Sequence, residues 1–460
     1  MAKRYEIPRL LVAAPSSGSG KTTVTCGLLR AAQRRALGPC AFKCGPDYID
    51  PMFHREVLGV PSRNLDLFFS TREEVRRTLA RTAQGSGLAV LEGVMGYYDG
   101  LGNTHRASSW HLAQATDTPV LLVVKPQGAA LTLAAVIKGL QSFRSPSQLG
   151  GVVLNGCSQR LARNLTAAIQ GETGLPVLGY LPNLPECAIP SRHLGLFTPE
   201  EVEGLSAKVD RAADQLEETA DLERIFALAR SAPPLEEELP AVPSEGQEGP
   251  VVAVARDSAF CFYYEDNLEA LQCAGAKLAF FRPTEDCALP EGTCGLYLGG
   301  GYPELYAQKL SENTALRGAI HRAVEDGMPV LAECGGFLYL QNSLEDAEKQ
   351  SWPMAGALEG RGFRTERLQR FGYVTLTARE DTPYLKRGET IAAHEFHRWD
   401  CTENGRVCEA VRPVGGERWS CMVARKNLLG GFPHLYFPSN PHLAARFVSA
   451  CGVYQERMTR

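Results

Sequence analysis

A strand, a loop rich in glycine and serine, and a helix open this chain, and no other feature of the sequence constrains its fold as strongly. Residues 10–14 form an apolar run that predicts a buried strand, and a helical pattern starts near Gly20. The loop between them reads PSSGSGKTT at residues 15–23. Glycines let a backbone approach phosphate oxygens closely, and the N–H groups at a helix N-terminus attract negative charge. The opening therefore predicts a phosphate-binding loop in a parallel α/β domain.

The predicted nucleotide-binding residues share this loop, and they are Gly18, Ser19, Gly20, Lys21, Thr22 and Thr23. The Lys21 ammonium is expected to neutralise the β- and γ-phosphate oxygens, and the Thr22 hydroxyl is expected to hold Mg²⁺. Pro15 stands where the usual pattern begins with glycine, so the match is incomplete by one residue. The alternative is a glycine–serine turn that only joins a strand to a helix.

Length and composition favour a multidomain protein of a reducing compartment. A chain of 460 residues exceeds what one hydrophobic core usually organises, so two or three domains are expected. The net charge of −4 predicts no nucleic-acid partner, and the apolar runs are too short to predict a membrane partner. The N-terminus lacks the apolar stretch of a signal peptide, and the 14 cysteines lack metal-binding spacing. We therefore expect a cytoplasmic protein with free thiols.

A segment rich in proline, glutamate and glycine, 231–250, predicts a linker between a domain at 1–230 and a domain at 251–460. Before the linker, strands are predicted at 9–14, 40–44, 88–92, 119–124, 151–155 and 176–180, and helices at 21–36, 71–84 and 131–143. After it, strands are predicted at 251–255, 277–281, 295–299 and 329–333, and antiparallel strands within 353–425. Strands that alternate with helices predict a parallel sheet covered on both faces.

Carboxylates follow two of the predicted strands in the first domain. Asp47 and Asp50 come after one strand, and Glu92 and Asp99 lie at and beyond the end of another. Because ligands of an open parallel sheet sit beyond the carboxyl ends of its strands, these side chains are expected near the phosphate loop. The alternative is that the aspartates are turn residues, since Asp beside Gly and Pro is common in loops.

Two of these carboxylates have the chemistry of magnesium ligands. Mg²⁺ usually takes one or two carboxylates together with phosphate oxygens, so Asp47 and Glu92 are predicted to complete a site with Thr22. Lys43 is either a solvated side chain or a second cation for the transferred phosphate. Asn155 ends a predicted strand, and its amide is a candidate for reading the adenine edge.

In the second domain, Cys334 is the candidate nucleophile. It ends an apolar run and precedes two glycines, which predicts a sharp strand-to-helix turn that exposes the thiol. The following helix is expected to lower the thiol pKa. The N–H groups of Gly300, Gly301 and Gly335 are the candidate oxyanion donors, and His434 is the candidate base. The alternative is a cysteine packed in the core.

The group HEFH at 394–397 is not a zinc-protease motif, and no third ligand accompanies His394 and His397. Structural or substrate-contact roles are therefore favoured over zinc.

Together the segments closely resemble the cobyrinic acid a,c-diamide synthase family, the glutamine-dependent amidases of corrinoid biosynthesis. The resemblance covers nearly the whole chain and rests on the phosphate loop and on the segments FKCGPDYIDP at 42–51, SRNLD at 62–66, EGVMG at 92–96, ARD at 255–257, FCFYY at 260–264, YLGGGYPE at 297–304, AECGG at 332–336 and HEFH. The related cobyric acid synthases lack the segment GPDYIDP and fit less well.

The resemblance implies a two-domain α/β architecture. A doubly wound parallel sheet similar to dethiobiotin synthetase would precede a domain similar to class I glutamine amidotransferases. The first domain would use ATP and Mg²⁺ to convert a substrate carboxylate to an acyl phosphate, and the family's synthetase-site positions match Asp47, Tyr48, Asp50, Glu92 and Asp99. The second would hydrolyse glutamine through a Cys334 thioester, and the ammonia would amidate the a and c acetate groups of a tetrapyrrole polycarboxylate.

One departure from typical class I glutaminases is visible, because Tyr436 stands where they carry the glutamate of a His-x-Glu motif. Several alternatives remain open. The macrocycle could be cobyrinic acid, hydrogenobyrinic acid or nickel-sirohydrochlorin, and the protein could be a monomer or a homodimer. A reading of another class is a nucleotide-switched binding protein with a non-catalytic glutaminase-like domain.

Overall fold

The apolar runs in the first half of the chain form one seven-stranded sheet in which all the strands are parallel. The computed structural model describes residues 3–187, 204–239 and 249–459. Backbone contacts divide the chain into two units, Met1–Pro240 and Ala241–Arg460. Each unit carries one of the two candidate sites.

The strands described in the first unit are β1 (Lys3–Tyr5), β2 (Arg9–Ala13), β3 (Pro39–Cys44), β4 (Ser62–Leu65), β5 (Leu88–Glu92), β6 (Val120–Val124), β7 (Leu149–Asn155), β8 (Val177–Leu181) and β9 (Leu235–Glu237). Its helices are α1 (Lys21–Arg34), α2 (Ile49–Met52), α3 (Arg72–Thr82), α4 (Ser109–Ala115), α5 (Leu131–Phe143), α6 (Gln159–Thr173), α7 (Leu205–Thr219) and α8 (Leu222–Arg230). One turn of π-helix, Phe53–Val57, continues α2.

The sheet of the first unit has the strand order β4-β3-β5-β2-β6-β7-β8. Alternate residues of a strand point to opposite faces, and both faces are apolar here: Leu11 and Ala13 belong to one core cluster, and Leu10 and Val12 to another. Burial on both faces explains why these strands read as continuous apolar runs. The predicted parallel sheet with helices on both faces is thereby confirmed.

Three strands of the first unit, β1, β4 and β9, were not predicted from the sequence. Strand β4 was not predicted because Ser62, Arg63 and Asn64 give it no apolar run, yet it pairs in parallel with β3. Strand β9 lies inside the predicted linker and pairs antiparallel with β1, and its Leu235 is fully buried. The first unit therefore continues beyond residue 230, and residues 240–248 of the linker lie outside the described part of the chain.

The strands described in the second unit are β10 (Val251–Ala255), β11 (Phe260–Phe262), β12 (Lys277–Phe281), β13 (Thr293–Leu298), β14 (Gly300–Gly301), β15 (Val330–Glu333), β16 (Ser343–Glu345), β17 (Ser351–Pro353), β18 (Arg361–Ala378), β19 (Thr390–Cys401), β20 (Cys408–Val411), β21 (Arg418–Cys421), β22 (Val423–Arg425), β23 (Leu428–Gly431) and β24 (His434–Leu435). Its helices are α9 (Glu265–Cys273), α10 (Ala307–Glu312), α11 (Thr314–Glu325), α12 (Gly335–Tyr339) and α13 (Pro441–Thr459).

Two sheets organise the second unit. The first has the order β12-β10-β13-β15-β23-β22 and is parallel except at its β22 edge. The second is built around the long antiparallel pair β18–β19, as the sequence predicts for 353–425, and ends at β24. Strand β15 leads into Cys334 and strand β24 begins at His434, so the two sheets supply the candidate nucleophile and base.

Within the described ranges, no helix is both long enough and apolar enough to cross a membrane.

Candidate functional site

The phosphate loop lies between the end of β2 and the start of α1, where the sequence predicts it. Gly18 and Gly20 have φ values of +75° and +94°, a left-handed backbone that side chains other than glycine disfavour. A Cβ on Gly20 would lie 2.0 Å from Asn155 Nδ2, and this amide donates to the Ser19 carbonyl at 2.9 Å. Asn155 therefore braces the loop itself, and its contact with an adenine stays a prediction.

Lys21 at the start of α1 lies along the loop. Its Nζ donates to the Met95 carbonyl at 2.7 Å and lies 3.4 Å from the Ser16 carbonyl. Burial, followed by the neighbouring Lys43, lowers the pKa of Lys21 to about 8. A negative charge beside the ammonium would raise its pKa again, so Lys21 is suited to bind a phosphate.

A buried cluster of charged groups lies beside the loop. Lys43 Nζ forms an ion pair with Asp50 and donates to Glu92 Oε1 at 3.1 Å. Burial lowers the pKa of Lys43, but the Asp50 and Glu92 carboxylates outweigh it and raise the pKa well above its ordinary value. Lys43 is thus a buried, charged side chain, and the alternative of a solvated lysine is wrong.

The two carboxylates of this cluster differ from each other. Burial raises the pKa of Glu92, yet Lys43, His54 and Thr22 together hold it below its usual value. Burial and the adjacent Glu92 raise the pKa of Asp50 well above its usual value. Glu92 is the ionised partner of Lys43 in this arrangement.

Thr22 and Glu92 fit a magnesium ion. Thr22 Oγ1 donates to Glu92 Oε1 at 2.6 Å, and adjacent oxygens of an octahedral Mg²⁺ shell are about 3 Å apart when the bonds are 2.0–2.1 Å. In the described part of the chain, no group of three acidic, histidine or cysteine side chains could hold a metal without other ligands. The remaining ligands would therefore be phosphate oxygens and water, which is the usual arrangement for Mg²⁺.

The other predicted residues surround this cluster. Asp47 is half-buried, and its carboxyl helps to raise the pKa of Lys43. It also accepts the Ile49 N–H at 2.9 Å. Asp99 is exposed, and its carboxyl raises the pKa of Lys21 against the lowering by burial. It also accepts the Gly96 N–H at 2.9 Å. Both aspartates thus stabilise turns, as the alternative interpretation expects. They also lie close enough to the two lysines to raise the pKa of the lysine side chains. Tyr48 is half-buried directly before α2.

Sequence reasoning missed two residues of this site. His54 is completely buried, with Nε2 3.4 Å from Glu92 Oε2 and Nδ1 3.0 Å from Ser62 Oγ. Asn64 donates to the carbonyls of Gly45 and Asp47 at 2.8 and 2.7 Å and fixes the loop that follows β3. His54 had no local signal because it stands alone in a helical turn. Asn64 falls in the segment SRNLD that carries the family resemblance, but its role depends on the unpredicted strand β4.

Cys334 is the turn residue between β15 and α12. Its φ and ψ are +45° and −102°, a strained left-handed backbone, and its N–H donates to the Gly431 carbonyl at 2.7 Å. A Cβ on Gly336 would lie 2.1 Å from the Leu298 carbonyl oxygen, so the turn also requires glycine there. The predicted strand–turn–helix geometry is present.

The electrostatics of Cys334 are opposite to the prediction. Burial raises the pKa of the thiol, Glu304 and Glu395 raise it further, and a hydrogen bond from the Gly335 N–H opposes them. The predicted lowering of the thiol pKa is wrong because burial and the two glutamates outweigh the Gly335 N–H at the start of α12, and Cys334 is only 6% exposed. The resting side chain is a neutral thiol that needs a base.

His434 lies against the glycine loop that follows β13. A Cβ on Gly300 would lie 2.2 Å from His434 Cε1, and a Cβ on Gly335 would lie 3.1 Å from the Gly301 nitrogen. The loop is thus in contact with both the base and the residue after the nucleophile. Burial, with smaller contributions from His394 and His397, lowers the pKa of His434 to about 3. The imidazole is neutral and can accept a proton.

The HEFH segment on β19 forms a hydrogen-bonded network. His397 Nε2 lies 3.0 Å from Glu395 Oε1, and its ring stacks on Phe432 at 3.9 Å between centroids. Trp419 Nε1 donates to Glu395 Oε2 at 3.1 Å. Burial lowers the pKa of His394 to about 4. These contacts agree with a structural or substrate-contact role rather than zinc binding.

Two family models match the two units in order. Residues 10–196 match the CobQ/CobB/MinD/ParA nucleotide binding domain, and residues 251–442 match the CobB/CobQ-like glutamine amidotransferase domain. The chain is therefore a P-loop nucleotide-binding domain followed by a glutamine amidotransferase domain.

Curated relatives match almost the whole chain. The cobyrinate a,c-diamide synthase of Caldanaerobacter subterraneus is 37% identical over 447 residues, covering 96% of this chain and 98% of that protein. The protein of the same name from Listeria monocytogenes is 37% identical over 439 residues, with coverage of 94% and 97%. That of Dehalococcoides mccartyi is 36% identical over 452 residues, with coverage of 96% and 97%. With both domain models matched in order and identity of this level over nearly its full length, the chain belongs to the cobyrinate a,c-diamide synthase family of glutamine-dependent amide ligases.

Proposed function

We propose that this chain uses ATP to activate the a and c acetate carboxylates of cobyrinate and converts both to amides with ammonia taken from glutamine. The observation that carries the proposal is the pairing of two chemically different sites on one chain. A phosphate loop with buried cations stands in the first unit, and a cysteine elbow with a neutral histidine stands in the second. The substrate is that of the named relatives.

In the first step, a carboxylate oxygen of the substrate attacks the γ-phosphorus of ATP, ADP leaves, and an acyl phosphate forms. Lys21 and Lys43 would stabilise the charge that spreads over the transferred phosphoryl oxygens. Thr22, Asp47 and Glu92 would hold Mg²⁺, which when bound neutralises phosphate charge. Tyr48, Asp50 and Asp99 are proposed to contact the substrate or to orient these groups.

In the second unit, His434 would accept the Cys334 thiol proton as the sulfur attacks the side-chain amide carbon of glutamine. The backbone N–H groups of Gly300, Gly301 and Gly335 would stabilise the oxyanion. Proton return from the imidazole lets ammonia leave, and water then hydrolyses the thioester to glutamate. Because the thiol is neutral at rest, thiolate formation would coincide with glutamine binding.

In the last step, ammonia attacks the acyl carbon and phosphate leaves, so each amide consumes one ATP and one glutamine. Two rounds give the a,c-diamide. Residues 1–230 would carry the ATP-dependent chemistry and residues 251–460 the glutamine hydrolysis, and the proposed assembly is a monomer or a homodimer.

The test compares three macrocycles under the same conditions. Purified protein is incubated with ATP, Mg²⁺, glutamine and either cobyrinic acid, hydrogenobyrinic acid or nickel-sirohydrochlorin, and products are identified by mass. We expect cobyrinic acid to gain two amides with the highest kcat/KM. Preference for nickel-sirohydrochlorin or hydrogenobyrinic acid would reassign the substrate. Nucleotide binding without amidation of any of them would favour a nucleotide-switched binding protein.

The nitrogen source is tested with Cys334→Ala. This variant is expected to lose glutamine-dependent amidation and to keep amidation driven by ammonium chloride. Retention of glutamine-dependent amidation would overturn the assignment of Cys334.

A further inference from the structure

Glu333 is a fully enclosed carboxyl that the mechanism above does not use. It ends β15, directly before Cys334, and is 3% exposed. Lone buried carboxyls are costly unless their oxygens have partners, so its retention here calls for a reason.

Both oxygens of Glu333 have partners, and one partner belongs to the segment that carries the base. Glu333 Oε1 accepts the N–H of Leu435 at 3.2 Å, the peptide group that directly follows His434. Tyr297 on β13 donates its hydroxyl to Glu333 Oε2 at 3.2 Å. One side chain therefore joins the strand before the nucleophile to the backbone of the base.

Other hydrogen bonds secure the same segment. Asn267 Nδ2 donates to the Leu435 carbonyl at 2.7 Å, and Asn267 Oδ1 accepts the Phe437 N–H at 2.8 Å. On the β19 side, the Tyr436 N–H donates to the Ala392 carbonyl at 2.9 Å. The backbone around His434 is thus held on both sides, and the contact from Glu333 is the one that comes from the nucleophile strand.

This arrangement bears on the missing carboxylate of the His-x-Glu pattern. At that position Tyr436 directs its hydroxyl to Asp266 Oδ2 at 3.3 Å. The backbone on both sides of the base is thus set by hydrogen bonds from other segments, and Glu333 supplies one of them. Errors of about 1 Å in the placement of a catalytic group can cost about 100-fold in rate.

We propose that Glu333 is a positioning residue for glutamine hydrolysis, which holds the His434 backbone at a fixed distance from the Cys334 turn through its hydrogen bond to Leu435. The inference rests on the proposed function of Cys334 and His434. It concerns hydrogen-bonding geometry, not negative charge.

The protonation state of Glu333 makes a matched variant available. Burial raises the pKa of Glu333 to about 8, so the carboxyl is mostly neutral at pH 7. A glutamine keeps a carbonyl acceptor for Leu435 and offers an amide N–H to the Tyr297 oxygen, which can accept as well as donate. Glu333→Gln therefore preserves the geometry, whereas Glu333→Leu of similar size removes it.

The experiment measures glutamine hydrolysis and both forms of amidation for the full-length wild type, Glu333→Gln, Glu333→Leu and Cys334→Ala. We expect Glu333→Leu to lower kcat for glutamine hydrolysis about 100-fold with KM changed less than about 3-fold, and to keep ammonia-driven amidation. We expect Glu333→Gln to stay within about 3-fold of the wild type. Ile320→Ala, which leaves a cavity at a fully buried residue of α11 that takes no part in these hydrogen bonds, controls for destabilisation and should keep its kcat.

Three results would overturn the proposal: a wild-type kcat in Glu333→Leu, an equal loss in Glu333→Gln, or an equal loss in Ile320→Ala. Failure of the underlying function is seen separately, because Cys334→Ala would then hydrolyse glutamine like the wild type. If Glu333→Leu does not fold, the contrast between Glu333→Gln and Tyr297→Phe decides the matter. Loss of one donor to Glu333 in Tyr297→Phe should lower kcat by about 3- to 10-fold, and an unchanged kcat there would also count against the proposal.

Discussion

Around the phosphate loop of the first unit, buried ionisable side chains compensate one another's charge, whereas around the nucleophile of the second unit they are held neutral. Lys43 has a raised pKa and Glu92 a lowered one, so the pair is ionised. Cys334 has a raised pKa and His434 a lowered one, so that pair is uncharged. Burial opposes charge in both places, and the outcome differs because Lys43 lies directly against Asp50 and Glu92, whereas Glu304 and Glu395 near Cys334 disfavour its anion.

The contrast matches the chemistry proposed for each site. A phosphoryl group carries several negative charges into its site, and fixed cations there are useful before it arrives. Glutamine is neutral at its amide, and a premature thiolate would be open to oxidation and other side reactions. The predictions below test this difference in order of decreasing effect.

The largest effect is expected at the charged site. Glu92→Gln keeps the shape of the side chain but removes the charge that pairs with Lys43 and would hold Mg²⁺. Amidation with glutamine or with ammonia should fall roughly 10⁴-fold, about 5 kcal/mol of transition-state stabilisation, while glutamine hydrolysis continues. Steady-state assays of both activities measure it, and Asp47→Asn should act in the same direction.

The matched control for that variant is Glu237→Gln, which changes another buried glutamate of the first unit, paired with Arg76. It should leave amidation within about 3-fold of the wild type. Equal loss of hydrolysis and amidation in folded Glu92→Gln would mean that the two sites are not chemically separate.

The second effect concerns stability. Lys43→Met leaves the Asp50 and Glu92 carboxylates buried without their cation, which should cost about 4 kcal/mol. Urea unfolding followed by circular dichroism measures the change. Adding Asp50→Leu should recover part of the loss, and Lys138→Met on the exposed face of α5 should change stability by less than about 0.5 kcal/mol. If the urea midpoint of Lys43→Met equalled that of the wild type, Lys43 would not compensate the charge of the two buried carboxyl groups.

The third effect is at the neutral site and needs no change of charge. In Gly300→Ala the new methyl group would lie 2.2 Å from His434 Cε1 and must displace the imidazole. We expect kcat for glutamine hydrolysis to fall about 100-fold, with ammonia-driven amidation intact. Gly452→Ala in α13, where a Cβ meets no atom within 4 Å, should keep full activity. Full activity in Gly300→Ala would show that His434 does not act from this position.

The smallest effect is a pH dependence of stability. The pKa of Glu333 is about 8 in the folded state against 4.5 for an ordinary glutamate. Below pH 4.5 the carboxyl is neutral in both states, and its stabilising contribution is lost as the pH rises towards 8, because the unfolded chain releases the proton first. Tyr263, Tyr297 and Cys334, which face it, have raised pKa values and titrate above this window.

Glu333→Gln should therefore gain thermal stability over the wild type as the pH rises, by at least about 3 °C in Tm between pH 5 and pH 8.5. Differential scanning fluorimetry at three pH values measures it. A gap that stays constant with pH would mean that Glu333 is already ionised at pH 5.

What could be predicted from the sequence follows from how local each signal is. The strands β2, β5 and β6 are apolar runs because both faces of the sheet are buried, so the pattern alone identifies them. The phosphate loop and the Cys334 turn are also local, since glycine spacing reports backbone that must bend or approach closely.

The missed parts depend on contacts between distant residues. His54 and Glu92 are 38 positions apart and meet only because β3 and β5 are neighbours in the sheet. Strand β23 was not predicted because its sequence, LLGG, is half glycine, yet it pairs with β15 across almost 100 residues. The thiol pKa of Cys334 had the wrong predicted sign because burial raises it most, and Glu304 and Glu395 from distant segments raise it further.

The pairing of β1 with β9 brings the two ends of the first unit together, which affects how the unit can be joined to other chains. Lys3 lies opposite Glu237 and Tyr5 opposite Leu235, so the unit's two chain ends run side by side. A domain closed in this way can be excised, fused or given new termini elsewhere without opening its core, because a short peptide can rejoin the old ends. In evolutionary terms, such a nucleotide-binding module can be attached to a different ammonia-producing partner by a single joining event.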